Sequence, residues 1–264
     1  MGLFNAAVIQ LELSDLETRA DRFLRVERRL AEICARQTRP DIIMLPEIWA
    51  TGFFNFERYV SESEPLLGET YTRMAPWAEK LDCYFLAGSI VEKEKGSYYN
   101  TALLIGPGGN LAGSFRKIHL FGYQSEESKI LTPGSAIFTL KTEYGTWGIT
   151  TCYDLRFPEL YRRLVEAGAE LLLVVAAWPL SRLEHWLLFN RVRALENLCF
   201  LVSCNCAGSM KGSALGGNSM AVDPWGDILA RAGREEEILC VELDLKKAAE
   251  IRAQFPALQD RKLY

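Results

Sequence analysis

The chain has 264 residues, with 30 Lys and Arg against 34 Asp and Glu, a net charge of −4 and 49% hydrophobic residues. Its length and composition suit a soluble globular protein with a sizeable core, and its acidic balance argues against a nucleic-acid partner. No apolar run is long enough to cross a bilayer and the first residues lack a basic leader, so a cytoplasmic location without a membrane partner is expected.

Residues 5–13 read as a buried strand, and Ser14 and Asp15 offer caps for a helix reaching residue 37. Leu16, Ala20, Phe23, Val26, Leu30 and Ile33 would form its apolar face. The short apolar run 41–45 marks a strand covered on both sides. A helix over 71–81, strands over 84–91 and 101–105, a turn at 106–110 and a strand leading into Phe115-Arg116-Lys117 follow. The second half repeats this texture: strand 146–151, helix 158–167, strand 170–176, helix 183–197 and strand 199–204. Strands over 220–223, 228–231 and 238–243 come last, with a turn at 223–227. The alternation predicts an α/β fold with a buried sheet. With no linker, repeat or low-complexity tract, residues 1–264 read as one domain. The seven cysteines are scattered and no Cys-x-x-Cys pair occurs, which disfavours a disulfide framework or a metal site.

The most informative of those cysteines lies in Gly148-Ile149-Thr150-Thr151-Cys152-Tyr153-Asp154-Leu155-Arg156-Phe157-Pro158. A β-branched run precedes it and a proline-bearing, helix-like run follows. That places Cys152 on a sharp strand-to-helix turn, where a nucleophile is lifted out of a sheet and backbone N–H groups face a developing oxyanion. The dipole of such a turn is expected to favour thiolate. A second run, Asp41-Ile42-Ile43-Met44-Leu45-Pro46-Glu47, sets a carboxylate at the end of a buried strand. There it is placed to accept a thiol proton. A third, Arg116-Lys117-Ile118-His119-Leu120-Phe121, offers two partners for Cys152. Lys117 would stabilise thiolate and oxyanion, and His119 would serve as the base of a Cys–His pair. Spacing alone does not choose between them.

The three runs, in this order and with these flanks, resemble the nitrilase superfamily of carbon–nitrogen hydrolases. The likeness extends to Gly217-Asn218-Ser219-Met220-Ala221-Val222-Asp223-Pro224-Trp225-Gly226. The resemblance implies a four-layer αββα sandwich, dimerised through helices, and a Glu47–Lys117–Cys152 triad that needs no cofactor. It implies that Glu47 deprotonates Cys152, that Cys152 forms a thioester with release of ammonia, and that Lys117 and the Tyr153 N–H hold the oxyanion. It also implies a second glutamate, for which Glu127 fits and its neighbour Glu126 competes.

Cys152-Tyr153-Asp154-Leu155-Arg156-Phe157-Pro158-Glu159-Leu160 resembles the branch containing omega-amidases, which cleave the terminal amide of 2-oxoglutaramate or 2-oxosuccinamate. For such short anions the pocket is expected to be narrow and cationic. Its candidate residues are Trp178, Tyr153, Phe121, Tyr123 and His185, with Phe53 and Phe54 at the entrance. Arg156 reads as a structural ion-pair partner or a carboxylate ligand, and Arg191 and Arg193 as bonds to neighbouring segments. The run 204–213, rich in cysteine and glycine, departs from the pattern and leaves N-carbamoyl amines and deaminated glutathione as alternative substrates. A catalytically silent scaffold or binding protein is the alternative of another class. Trp225 and the tail 255–264 are candidate subunit contacts.

Overall fold

The side chains of successive strand residues enter two different cores, which fixes how the layers stack. The computed structural model describes residues 3–262, so Tyr264 of the candidate tail lies outside the described residues. In chain order the strands are β1 (Phe4–Gln10), β2 (Glu12–Leu13), β3 (Ile42–Met44), β4 (Tyr84–Glu94), β5 (Ser97–Ile105), β6 (Leu111–Arg116), β7 (Thr139–Thr142) and β8 (Gly145–Thr151). They continue as β9 (Leu171–Ala176), β10 (Phe200–Asn205), β11 (Ala207–Met210), β12 (Ser213–Ala214), β13 (Met220–Val222), β14 (Ile228–Arg231) and β15 (Glu237–Leu243). The helices are α1 (Arg19–Cys34), α2 (Glu69–Leu81), α3 (Glu127–Ile130), α4 (Pro158–Glu166), α5 (Leu183–Asn197) and α6 (Lys246–Gln254).

One six-stranded sheet runs β15-β1-β3-β4-β5-β6 and the other β14-β13-β10-β9-β8-β7. Parallel strands form the middle of each, β1-β3-β4 and β8-β9-β10, with antiparallel strands outside. In the first sheet Ala6, Val8, Ile42, Met44 and Leu86 join the core shared with Ile149, Leu173 and Val175 of the second. Their neighbours Ala7, Ile9, Ile43, Leu45 and Phe85 pack instead with Phe23, Val26 and Leu30 of α1 and Met74 and Ala78 of α2. Leu160 and Leu164 of α4 and Trp186 and Ala194 of α5 pack with the second sheet. The period of two in the strands and of three to four in the helices thus yields the αββα sandwich. A small sheet, β12-β11-β2, ties the end of β10 to the end of β1.

Local competition moves several boundaries. Thr18, rather than Ser14 or Asp15, caps α1: the Thr18 hydroxyl accepts from the Asp21 N–H at 3.2 Å and the Asp21 carboxylate accepts from the Thr18 N–H at 3.0 Å. This reciprocal cap satisfies two donors at once and leaves Leu16 outside the helix, 95% exposed. The segment after β10 is a strand pair, β11 and β12, and not a loop. β7 and α6 lie where no element was expected.

Candidate active site

The parallel strands of both sheets end at one place, and the polar residues that follow them converge there. Glu47 lies just beyond β3. The chain turns between them because Gly88, at φ +73°, lets β4 bulge: a Cβ there would lie 2.1 Å from the Pro46 carbonyl oxygen. The Ile48 N–H then donates to the Ser89 hydroxyl at 3.0 Å. Glu47 is fully buried, and its Oε2 accepts from the Ala177 N–H, just past β9, at 2.8 Å.

Lys117 follows β6 and is also fully buried. Its Nζ donates to Glu47 Oε1 at 2.8 Å and to Glu127 Oε1 and Oε2 at 3.0 and 2.9 Å. Glu127 opens α3, and its Oε2 also accepts from the Phe121 N–H at 2.7 Å. Glu126 points outward and pairs with Lys129 at 2.9 Å. Burial pulls the Lys117 ammonium down, but Glu127 and Glu47 outweigh it and hold Lys117 above its usual range, so it stays charged. Burial raises Glu127 above the usual carboxylate range, with Lys117 opposing and Glu47 reinforcing. Asn100 of β5 donates from one Nδ2 to both carboxylates, at 2.8 Å to Glu47 Oε1 and 2.9 Å to Glu127 Oε1.

Cys152 starts a short 3-10 turn after β8 and carries φ +47°, a left-handed conformation uncommon for a residue with a Cβ. Asp154 braces the turn. Its carboxylate accepts from the Thr151 N–H at 3.2 Å and from the His119 N–H at 2.9 Å, and it contacts His119 Nδ1 at 2.7 Å. The Cys152 turn is thereby fastened to the segment that carries Lys117. The thiol lies against Glu47, yet it is not poised as thiolate. Burial pushes it well above its usual range, Glu47 adds to this, and Lys117 offsets it only in part. Burial thus works against the help expected from the turn dipole.

A cavity of about 510 Å³ reaches Cys152 but none of Glu47, Lys117 and Glu127 behind it. Its walls include Phe53, Phe54, Phe121, Tyr123, Tyr153 and Trp178 together with Arg156 and Arg182.

The carbon–nitrogen hydrolase family model matches residues 5–253. The chain belongs to the carbon–nitrogen hydrolase family. It is 36% identical to a 2-oxoglutaramate amidase of Paenarthrobacter nicotinovorans, over 99% of this chain and 90% of that one. It is 35% identical to omega-amidase NIT2 of Homo sapiens, over 99% and 96% of the two chains. Its fold is also that of Nit3 of Saccharomyces cerevisiae, a member of the nitrilase superfamily, with a TM-score of 0.85, 29% identity and coverage of 99% and 97%. This carbon–nitrogen hydrolase is therefore an amide-hydrolysing enzyme.

Within the hydrolase, sequence-predicted residues fall on both sides of the cavity wall. Trp178, Tyr153, Phe121 and Tyr123 line it. His185 does not: it is exposed, and its Nδ1 lies 3.1 Å from Arg156 Nη2. His119 is held by Asp154 and stacked on Phe157 with ring centroids 3.7 Å apart. Arg156 has no carboxylate partner among the described residues; its guanidinium lies 4.9 Å from the Trp178 ring and 5.3 Å from that of Phe189. Arg182, overlooked in the sequence, sits 5.5 Å from the Phe121 ring and 5.6 Å from that of Tyr123, likewise without a carboxylate among the described residues. Trp178 Nε1 donates to the Arg182 carbonyl at 2.8 Å and fixes its loop. Arg191 and Arg193 make the expected segment contacts, to the Gly226 and Leu155 carbonyls at 2.8 and 3.0 Å. The β11–β12 hairpin supplies Gly212, Ser213 and Ala214 to the cavity. No cluster of three His, Cys, Asp or Glu side chains among the described residues is arranged to hold a metal ion.

Proposed function

We propose that the chain, acting as one hydrolase domain, removes the terminal amide of a short anionic acid of the 2-oxoglutaramate or 2-oxosuccinamate type. One observation carries this reading: Cys152, unlike the buried Glu47, Lys117 and Glu127, lines a cavity that also presents two guanidinium groups without carboxylate partners among the described residues. The relatives named 2-oxoglutaramate amidase and omega-amidase support the substrate class.

As the Cys152 sulfur attacks the amide carbon, Glu47 takes the thiol proton. The oxyanion forms between the Lys117 ammonium and the Tyr153 N–H. The C–N bond breaks, Glu47 returns the proton to nitrogen, and ammonia leaves a thioester. Water then gives a proton to Glu47 and its hydroxyl to the acyl carbon; the C–S bond breaks and Glu47 reprotonates the sulfur. Glu127 keeps Lys117 charged and aimed. Arg156 and Arg182 hold the substrate carboxylate.

Ammonia release tests this with 2-oxoglutaramate, 2-oxosuccinamate, glutamine, N-carbamoyl amines, deaminated glutathione and simple nitriles. The oxo-acid amides are expected to turn over. Arg156→Gln and Arg182→Gln should each raise KM for them by about ten- to a hundredfold, the worth of one charge-assisted hydrogen bond. Turnover of a carbamoyl amine alone would overturn the substrate, and an unmoved KM would overturn the anion site. The cavity volume of about 510 Å³ favours the larger deaminated glutathione as a second reading.

We also propose a homodimer formed through the outer face of α5. Leu188, Leu195, Trp225 and Phe255 are all exposed; Gly226 packs against Leu195, and the Trp225 ring stands 5.6 Å from Phe255. Such a grouped apolar surface marks an interface. Sedimentation should show a dimer that Leu195→Asp splits, and a monomeric wild type or an intact Leu195→Asp dimer would refute it.

A further inference from the structure

We infer that Asn100 is a positioning residue that sets the two carboxylates around one ammonium and leaves a single Glu47 oxygen to exchange protons with Cys152. The inference rests on the hydrolase reading of the site but not on the identity of the amide.

Four atoms form a closed ring. Glu47 Oε1 accepts from Asn100 Nδ2 at 2.8 Å and from Lys117 Nζ at 2.8 Å. Glu127 Oε1 accepts from the same two nitrogens, at 2.9 and 3.0 Å. Without Asn100 the only donor shared by these two buried carboxylates among the described residues would be the lysine. The backbone holds the arrangement in register, because the Lys117 N–H donates to the Asn100 carbonyl at 2.8 Å.

The other end of the amide supports a positioning role. Asn100 Oδ1 is buried with no hydrogen-bond partner. A buried orphan acceptor is unfavourable and calls for an explanation. Turning the amide over would set that oxygen against two carboxylate oxygens, so the two acceptors dictate its orientation. The consequence reaches the nucleophile. With Oε1 saturated by Asn100 and Lys117, Glu47 Oε2 keeps one donor, the Ala177 N–H at 2.8 Å. The ring therefore leaves Oε2 as the freer oxygen of Glu47 for proton exchange.

Two variants test this. Asn100→Leu removes the donor, and Asn100→Asp keeps the shape but replaces the donor with an acceptor. Alkylation of Cys152 by iodoacetamide, followed by peptide mass spectrometry across pH, reads the site without any substrate. The pH profile of kcat/KM on the best amide of the panel reads it in turnover. Asn100 donates to the ionised carboxylates and favours that form, lowering Glu127 in particular, so its loss disfavours the charged form. The acid limb of both profiles should move upward by about one pH unit, with a roughly tenfold lower rate on the acid side and an unchanged KM. A uniform loss with an unmoved midpoint, no change, or loss of cooperative melting in both variants would overturn the positioning role. A wild-type Cys152 that resists alkylation at every pH would overturn the hydrolase reading itself, which separates the two failures.

Discussion

Cys152→Ala will lower kcat for ammonia release by on the order of 10⁴–10⁶ while leaving the fold intact. Cys204 and Cys206 are not expected to substitute. Cys204 and Cys206 are fully buried, and burial pushes both thiols well above their usual range. The same position allows a second reading by calorimetry. Cys152 has φ +47°; a residue with a Cβ pays about 1–2 kcal/mol in the left-handed region, and glycine avoids this at some expense in chain entropy. Cys152→Gly should therefore melt about 2 °C above Cys152→Ala, with both inactive. Strain would then be a property of the nucleophile's position that stability alone would remove. Residual activity within about tenfold of the wild type would exclude Cys152 as the nucleophile, and a lower melting point for the glycine variant would exclude stored strain.

The positions of Glu47 and Cys152 were legible because each follows an apolar run that reads as a buried strand, and parallel strands present functional groups at their carboxyl ends. The layers were legible for a related reason: a period of two against a period of three to four assigns each face to a core. What stayed hidden depends on partners distant in sequence. Lys117 and His119 compete on spacing, and the structure separates them through Asp154, which engages the His119 ring at 2.7 Å from the far side of the nucleophile turn. Glu126 and Glu127 are adjacent, and only the start of α3 turns Glu127 inward. Asn100 sits among Tyr98, Tyr99 and Thr101 in a strand, where nothing local sets it apart. Arg182 draws notice by having no carboxylate beside it, an absence no motif records. α6 escaped because it buries little beyond Ala248 and Ile251, too few for a periodic signal.

Lys117→Met will cost both catalysis and stability, and the two losses should separate by pH. In turnover the variant loses an oxyanion donor, worth about 10²–10³ in kcat, and the charge that holds Glu47 in place. The expected fall is on the order of 10³–10⁴. His119→Asn should be mild by comparison, since His119 is committed to Asp154 and Phe157; a Cys–His mechanism would reverse that order. In stability, Met leaves Glu47 and Glu127 buried without their cation. Removing one partner of a buried pair costs about 3–5 kcal/mol, or roughly 6–15 °C in Tm for a chain of this size. The stranded carboxylates will bind protons more tightly when folded than when unfolded. The variant is therefore closest to wild type in acid and loses stability as pH rises through the raised pKa of Glu127. Lys117→Met with Glu127→Gln should regain part of the melting temperature but none of the activity, because it removes a stranded charge without restoring the donor. A Lys117→Met protein that melts like the wild type at every pH would show that the carboxylates do not depend on that ammonium, and one that retains activity within about tenfold would remove Lys117 from the mechanism.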